Sequence, residues 1–169
     1  QSEGAWLDTW KFRERAIWDG GYERHSLLCI QLRVHFDLDP ALLNNVRQAI
    51  DLLQNVDPNR IALIQRYLQG GVAISMTDYA LAWFSAENDA CFVGAKHAAA
   101  GPTRDIALSI FHETTHARIN AFGIKYDEPH RVRIEQICIG REVEFAKRLY
   151  AKGLCDKTVV QDAKARRTH

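Results

Sequence analysis

The run His112-Glu113-Thr114-Thr115-His116 puts two imidazoles four residues apart with a carboxylate beside the first. On an α-helix that spacing turns both histidines to one face, where they can hold a single zinc ion. Glu113 then stands where it can act as general base toward an attacking water without binding the metal, the division of roles a metallohydrolase needs. With 7 His and 9 Glu in 169 residues, chance yields such a pattern in roughly one or two chains per hundred. The rival reading is two surface histidines on an ordinary helix, and the setting opposes it. Thr103 is placed to cap a helix that runs through Arg104, Asp105, Ile106, Ala107, Ser109 and Ile110 into the motif. Ile106, Ile110, Phe111, Ala117 and Ile119 give this helix extensive apolar surface, so the imidazoles are expected inside, where they need partners.

A catalytic zinc has three protein ligands and an open position, so a further ligand must come from elsewhere. Glu135 lies in a second helical pattern that begins after Pro129, with 18 residues (117 to 134) between it and His116. That length lets one helix end, turn and return. At 100° per residue, Ile139, Glu142, Ala146 and Leu149 fall within about 40° of Glu135, and Val132, Val143 and Tyr150 widen the same face. Two carboxylates in an apolar stripe are costly unless charge or hydrogen bonds meet them. Glu135 is the expected third ligand. Glu142 is a rival ligand, a residue that orients a ligating histidine (the preferred role), or half of a buried ion pair with an arginine such as Arg118 or Arg131. Asp127, in the connection between the helices, and the neighbouring His130 are further candidate ligands, although a turn rich in Asp, Glu and Pro is more often solvated.

His112-Glu113-x-x-His116 followed after 18 residues by Glu135 resembles the gluzincin branch of the zincin metallopeptidases, with the aminopeptidase spacing within that branch. The resemblance covers roughly positions 103 to 150. It implies zinc held by His112, His116 and Glu135, with Glu113 as general base in hydrolysis of a peptide bond. The position of Asp127 is similar to that of the aspzincin third ligand, but the glycine-threonine lead-in of that branch is absent. No aminopeptidase specificity motif is present upstream.

Water attacking a carbonyl creates an oxyanion, whose charge a nearby donor must share. Tyr126 and His130 are the candidates, since both lie in the connection that passes the metal if Glu135 reaches it. Peptidases of this class often hold substrate as an added strand on a sheet edge. Tyr79 to Phe84 and Ala90 to Val93, joined by the polar turn Glu87-Asn88-Asp89, read as a hairpin, and either strand could supply that edge.

The supporting elements read as one α+β domain over residues 1–169, a zincin-like arrangement with a small mixed or antiparallel sheet packed on the active helix and on the helix that carries the third ligand. Trp6, Trp10, Arg13 and Ile17 predict an N-terminal helix before Asp19-Gly20-Gly21. Leu32, Val34, Phe36 and Leu38 alternate with polar residues as in a half-buried strand, which leaves His35 solvated. Asp39-Pro40 and Asp57-Pro58 each place a capping carboxylate before a proline and open two helices, the second ending at Gly70-Gly71. A short strand, Val72 to Ile74, follows. Lys157 to His169 reads as a frayed helix or tail.

A net charge of +1 gives no electrostatic footprint for nucleic acid. No apolar run approaches the roughly 20 residues of a membrane span, and no signal-peptide pattern opens the chain, so a soluble protein of unassigned oligomeric state is expected. Its start at Gln1 rather than Met suits a processed product or a domain cut from a larger protein. Cys29, Cys91, Cys138 and Cys155 lack Cys-x-x-Cys pairing. Disulfides stay open, and Cys138 is expected as a small buried apolar residue rather than a ligand. The expected function is zinc-dependent hydrolysis of a protein or peptide substrate, as an endopeptidase of processing or toxin type. The alternatives are a zinc hydrolase of a non-peptide amide and a binding or scaffold protein with structural or vestigial zinc.

Overall fold

The computed structural model describes Trp18 and residues 20–167. The helix expected around Trp6, Trp10, Arg13 and Ile17 lies outside the described residues. Strands β1 (Tyr22–Leu27), β2 (Ile30–His35), β3 (Gly71–Ser75), β4 (Ala82–Ser85) and β5 (Ala90–Gly94) form one sheet in the order β1-β2-β3-β5-β4. β2, β3 and β5 run parallel at the centre, while the antiparallel β1 and β4 form the two edges. The helices among the described residues are α1 (Leu42–Val56), α2 (Pro58–Tyr67), α3 (Ala95–Ala100), α4 (Thr103–Ala121), α5 (Glu128–Ala151) and α6 (Lys157–Arg167). The protein is therefore a mixed α+β structure with an open mixed sheet, and no helix of the described residues is long and apolar enough to cross a membrane.

Pleating separates two apolar layers. Leu32 and Val34, Val72 and Ile74, and Cys91 and Val93 join the main core with side chains from the helices, whereas Ala73, Ala90 and Phe92 meet Tyr22, Trp18 and Trp83 in a second cluster. With both faces covered, β3 and β5 are buried along their whole length. The second cluster corrects the expectation for His35. It is half-buried with its ring edge-on to Tyr22 at 5.5 Å, and the neighbouring buried Arg33 lays its guanidinium 4.1 Å from the Trp18 ring centre. β2 also stops at His35 instead of running to Leu38. The Phe36 amide bonds to the Gly21 carbonyl and the Leu38 amide to that of His35, which turns the chain and leaves Phe36 exposed.

Other boundaries move for local reasons. The Asp39 carboxylate accepts from the Ala41 amide at 2.9 Å, so it closes a turn and α1 starts only at Leu42. Pro58 opens α2 as expected, but Asp57 spends its carboxylate on Arg148 at 3.1 Å and not on a helix cap. Pro102 takes the N-cap position of α4, and the Thr103 hydroxyl reaches Gln48 at 3.4 Å. The strand expected from Tyr79 is confined to Ala82–Ser85, because the Asp78 carboxylate accepts from the Lys96 amide at 3.0 Å and pins the preceding loop to the start of α3. α2 ends at Tyr67, ahead of Gly70-Gly71. Those glycines are required by close approach: a Cβ on Gly70 would overlap the Asn88 carbonyl, and one on Gly71, which has φ +79°, would overlap that of Gln31.

The turn between β1 and β2 holds Leu28 and Cys29 at φ 52° and 59°, the left-handed region where Asn-Gly is normally found. Replacing the exposed Cys29, at φ 59°, by Gly should therefore stabilise the fold by about 1 kcal/mol in denaturant unfolding. Gly71→Ala should cost about 2–3 kcal/mol in the same assay. A neutral Gly71→Ala would show that the loop relaxes and that contact with Gln31 sets no constraint.

Candidate metal centre

α4 and α5 pack side by side, and that packing forms the centre. Ile106, Ile110, Phe111 and Ala117 of α4 are buried, and Phe111 stacks on Phe145 of α5 with ring centres 4.8 Å apart. The buried Arg60 of α2 lays its guanidinium 3.5 Å from the Phe111 ring centre and donates to the Thr115 hydroxyl at 3.2 Å. Thr114 and Thr115, inside the motif, are buried and return their hydroxyls to the carbonyls of Ile110 and Phe111. On α5 the buried residues are Ile134, Cys138, Glu142, Val143, Phe145, Ala146 and Leu149. Val132 and Tyr150, expected on this face, are exposed. The apolar stripe is rotated toward Cys138 and Phe145, which leaves Glu135 at its edge, facing the cleft.

His112 and His116, one turn apart, bring their Nε2 atoms to 3.1 Å. Glu135 Oε2 lies 3.3 Å from His112 Nε2, and Oε1 lies 3.1 Å from His116 Nε2. Two imidazole nitrogens and a carboxylate are a donor set suited to zinc, and a tetrahedron on bonds of 2.0–2.1 Å has edges of about 3.3 Å. The two Nε2 atoms lie at a separation of that order, and each has one Glu135 oxygen at a similar distance. Glu142, 3% exposed, places Oε2 3.1 Å from His112 Nδ1, the position of a carboxylate that orients a ligating imidazole. Its other oxygen accepts from Arg166 of α6 at 3.0 Å. The ion-pair partner is therefore Arg166, and neither Arg118 nor Arg131. α6 is no frayed tail: Val160 and Ala163 are buried in the main core and fix the helix that carries Arg166.

Burial disfavours a charged His112, but hydrogen bonds to Glu135 and Glu142 outweigh it and hold the imidazole well above its ordinary range, at about 10. The bonds from His112 and His116 hold the Glu135 carboxyl far below the usual carboxylate range. Glu113, 9% exposed, is pushed up to about 7 by burial, against the opposing pull of His116 and His112. Glu113 and Phe84 of β4 line the same cleft. The two carboxylates of the cleft are thus driven apart: Glu135 is stabilised as an anion and Glu113 toward its neutral form.

The centre opens into a cleft of about 480 Å³ between β4 and the start of α5, lined by Ala82, Trp83, Phe84, Ile119, Ile124 and Ile134 as well as the polar residues. Of the two candidate edge strands, β5 lies inside the sheet and β4 is the edge. Tyr126 also lines the cleft, donating to Glu135 Oε1 at 2.9 Å with its ring 5.4 Å from that of His116. His130 does not join them. Its Nδ1 lies 2.6 Å from Asp127 Oδ1 at the exposed start of α5, and this pair occupies both rival ligands.

Two residues near the centre escaped the sequence reading. Arg166 has no spacing relation to the motif, so nothing short of the docking of α6 reveals it. Cys138 was expected as core and is wholly buried, yet its Sγ and a ring nitrogen from each of His112 and His116 all lie within 4.8 Å of one another. Its position one turn beyond Glu135 was the available signal. All four cysteines are free thiols.

A folded-state value above the unfolded one means that the His112 contribution to stability is complete below pH 6.5 and is lost as pH rises toward 10. In metal-free protein, NMR should show the His112 ring titrating far above 6.5, with Glu142→Gln lowering the midpoint. A midpoint at or below 6.5 would refute the paired arrangement. No family model, curated protein or solved structure matches the chain.

Proposed function

We propose that this protein is a zinc-dependent metallopeptidase of zincin type in which His112, His116 and Glu135 hold the metal and Glu113 is the general base. The observation that carries the reading is the mutual approach of both Nε2 atoms and the Glu135 carboxylate to 3.1–3.3 Å, with the buried Glu113 carboxyl beside them. Zinc at this donor set would supply Lewis acidity toward a carbonyl oxygen.

The chain's own residues supply the rest. Glu142 holds His112 Nδ1, fixing the ring so that Nε2 faces the donor set. Glu113 takes a proton from the attacking water and returns it to the leaving amine. Tyr126, whose hydroxyl already points at the cluster, donates to the developing oxyanion. β4 is a sheet edge beside the cleft, against which an extended peptide can lie, with Phe84 and Ile124 among the apolar lining. His130, turned to Asp127, has no part in this scheme. The substrate class is therefore a protein or peptide, cut within the chain.

Metal analysis should find one zinc per native chain and little in His116→Ala or Glu135→Ala. Zinc that survives Glu135→Ala unchanged would remove Glu135 from the ligand set. Glu113→Gln should retain zinc and lose about 10²–10⁴-fold in cleavage of a peptide library. Undiminished cleavage by that variant would sink the assigned role, and cleavage only of non-peptide amides would redirect the reading to another amidohydrolase.

A further inference from the structure

The donor set does not end with the residues assigned above. Cys138 lies on α5 three positions beyond Glu135, so both side chains leave the helix on neighbouring parts of one face. Its thiol is wholly buried and has no hydrogen-bond partner among the described residues, whereas the thiols of Cys91 and Cys155 each reach a backbone carbonyl. It stands within 4.8 Å of ring nitrogens of both His112 and His116. A buried cysteine is ordinary core, but beside two imidazoles its sulfur completes a preferred zinc donor combination of thiolate with imidazole.

We propose that Cys138 is a fourth protein ligand to the metal held by His112, His116 and Glu135, giving the centre a closed, sulfur-ligated form that leaves no position for water. The inference rests on the metal site of the preceding section and concerns how that site is controlled. On ligation the Sγ–H bond breaks, an Sγ–metal bond forms and the proton leaves to solvent, with no change in oxidation state. Closed four-coordinate zinc is characteristic of structural sites, and catalytic sites keep one position open. Displacement of Sγ by a substrate carbonyl oxygen, with the Sγ–metal bond breaking and the freed thiolate taking a proton back from solvent, would exchange one form for the other while Glu142 keeps α5 in place. The thiol thus serves as a built-in brake, released when substrate occupies the cleft between β4 and α5.

Cobalt(II) substitution of the full chain reads this directly, because thiolate ligation gives an intense near-ultraviolet charge-transfer band that nitrogen and oxygen ligands do not. We expect the band in the unaltered protein at one cobalt per chain, and its loss in Cys138→Ala and Cys138→Ser with cobalt still bound. Cys91→Ala and Cys155→Ala should leave it unchanged. Stoichiometric cobalt without the band in the unaltered chain overturns the inference and leaves the His112, His116 and Glu135 site standing. A band that persists in both Cys138 variants also overturns it. Failure to bind cobalt at all overturns the metal site itself. The unaltered chain supplies the decisive spectrum, so the test survives if a variant fails to fold.

Discussion

A single buried carboxylate, Glu142, organises the region around the histidines. An ionised carboxylate inside a helix-packed core has a desolvation cost of several kcal/mol unless both oxygens are met. Here one oxygen meets His112 Nδ1 and the other meets Arg166. Those two contacts lock three helices at once: α4 through the imidazole, α5 through the carboxylate and α6 through the guanidinium. The burial that makes Glu142 costly makes its pairing strict, and the strictness fixes the His112 ring with Nε2 turned to His116 and Glu135. The proposed chemistry depends on that orientation more than on the motif itself.

The surroundings separate the jobs of similar groups. Glu113, Glu135 and Glu142 lie close together on two helices, yet each meets different neighbours. Two imidazoles face Glu135 at the cleft, His112 and Arg166 clamp Glu142 from opposite sides, and Glu113 is desolvated by burial. Environment rather than residue type sets the role of each. β4 is the sheet edge that walls the cleft.

Parts of the architecture were legible because they rest on local rules. The period of two in Leu32 and Val34, the prolines at Pro58 and Pro129, and the apolar run through Ile106 and Ile110 report backbone geometry within a few residues of themselves. The misreadings arose where a distant contact outweighed the local preference. Nothing in Leu28-Cys29 announces a tight turn, and the hairpin exists because the six register pairs between β1 and β2 outweigh the cost of two left-handed residues. Arg33 and His35 occupy polar positions by alternation, but Tyr22 and Trp18 cover that face and turn it into a second apolar layer.

For the site, the amino-acid order alone determined the pair of histidines on one helical face, the adjacent Glu113, and a return helix long enough to bring Glu135 back. These follow from 3.6 residues per turn and from chain length. Tertiary structure decided which groups meet. It turned His130 to Asp127 and Tyr126 to Glu135, brought Arg166 from the end of the chain to Glu142, and set Cys138 beside the histidines. The physical reason is rotational. A helix face is readable from spacing to within a few tens of degrees, but the angle at which two helices pack is set by the summed fit of Phe111, Phe145, Ala146, Val160 and their neighbours. That angle determines which side chains face the histidines.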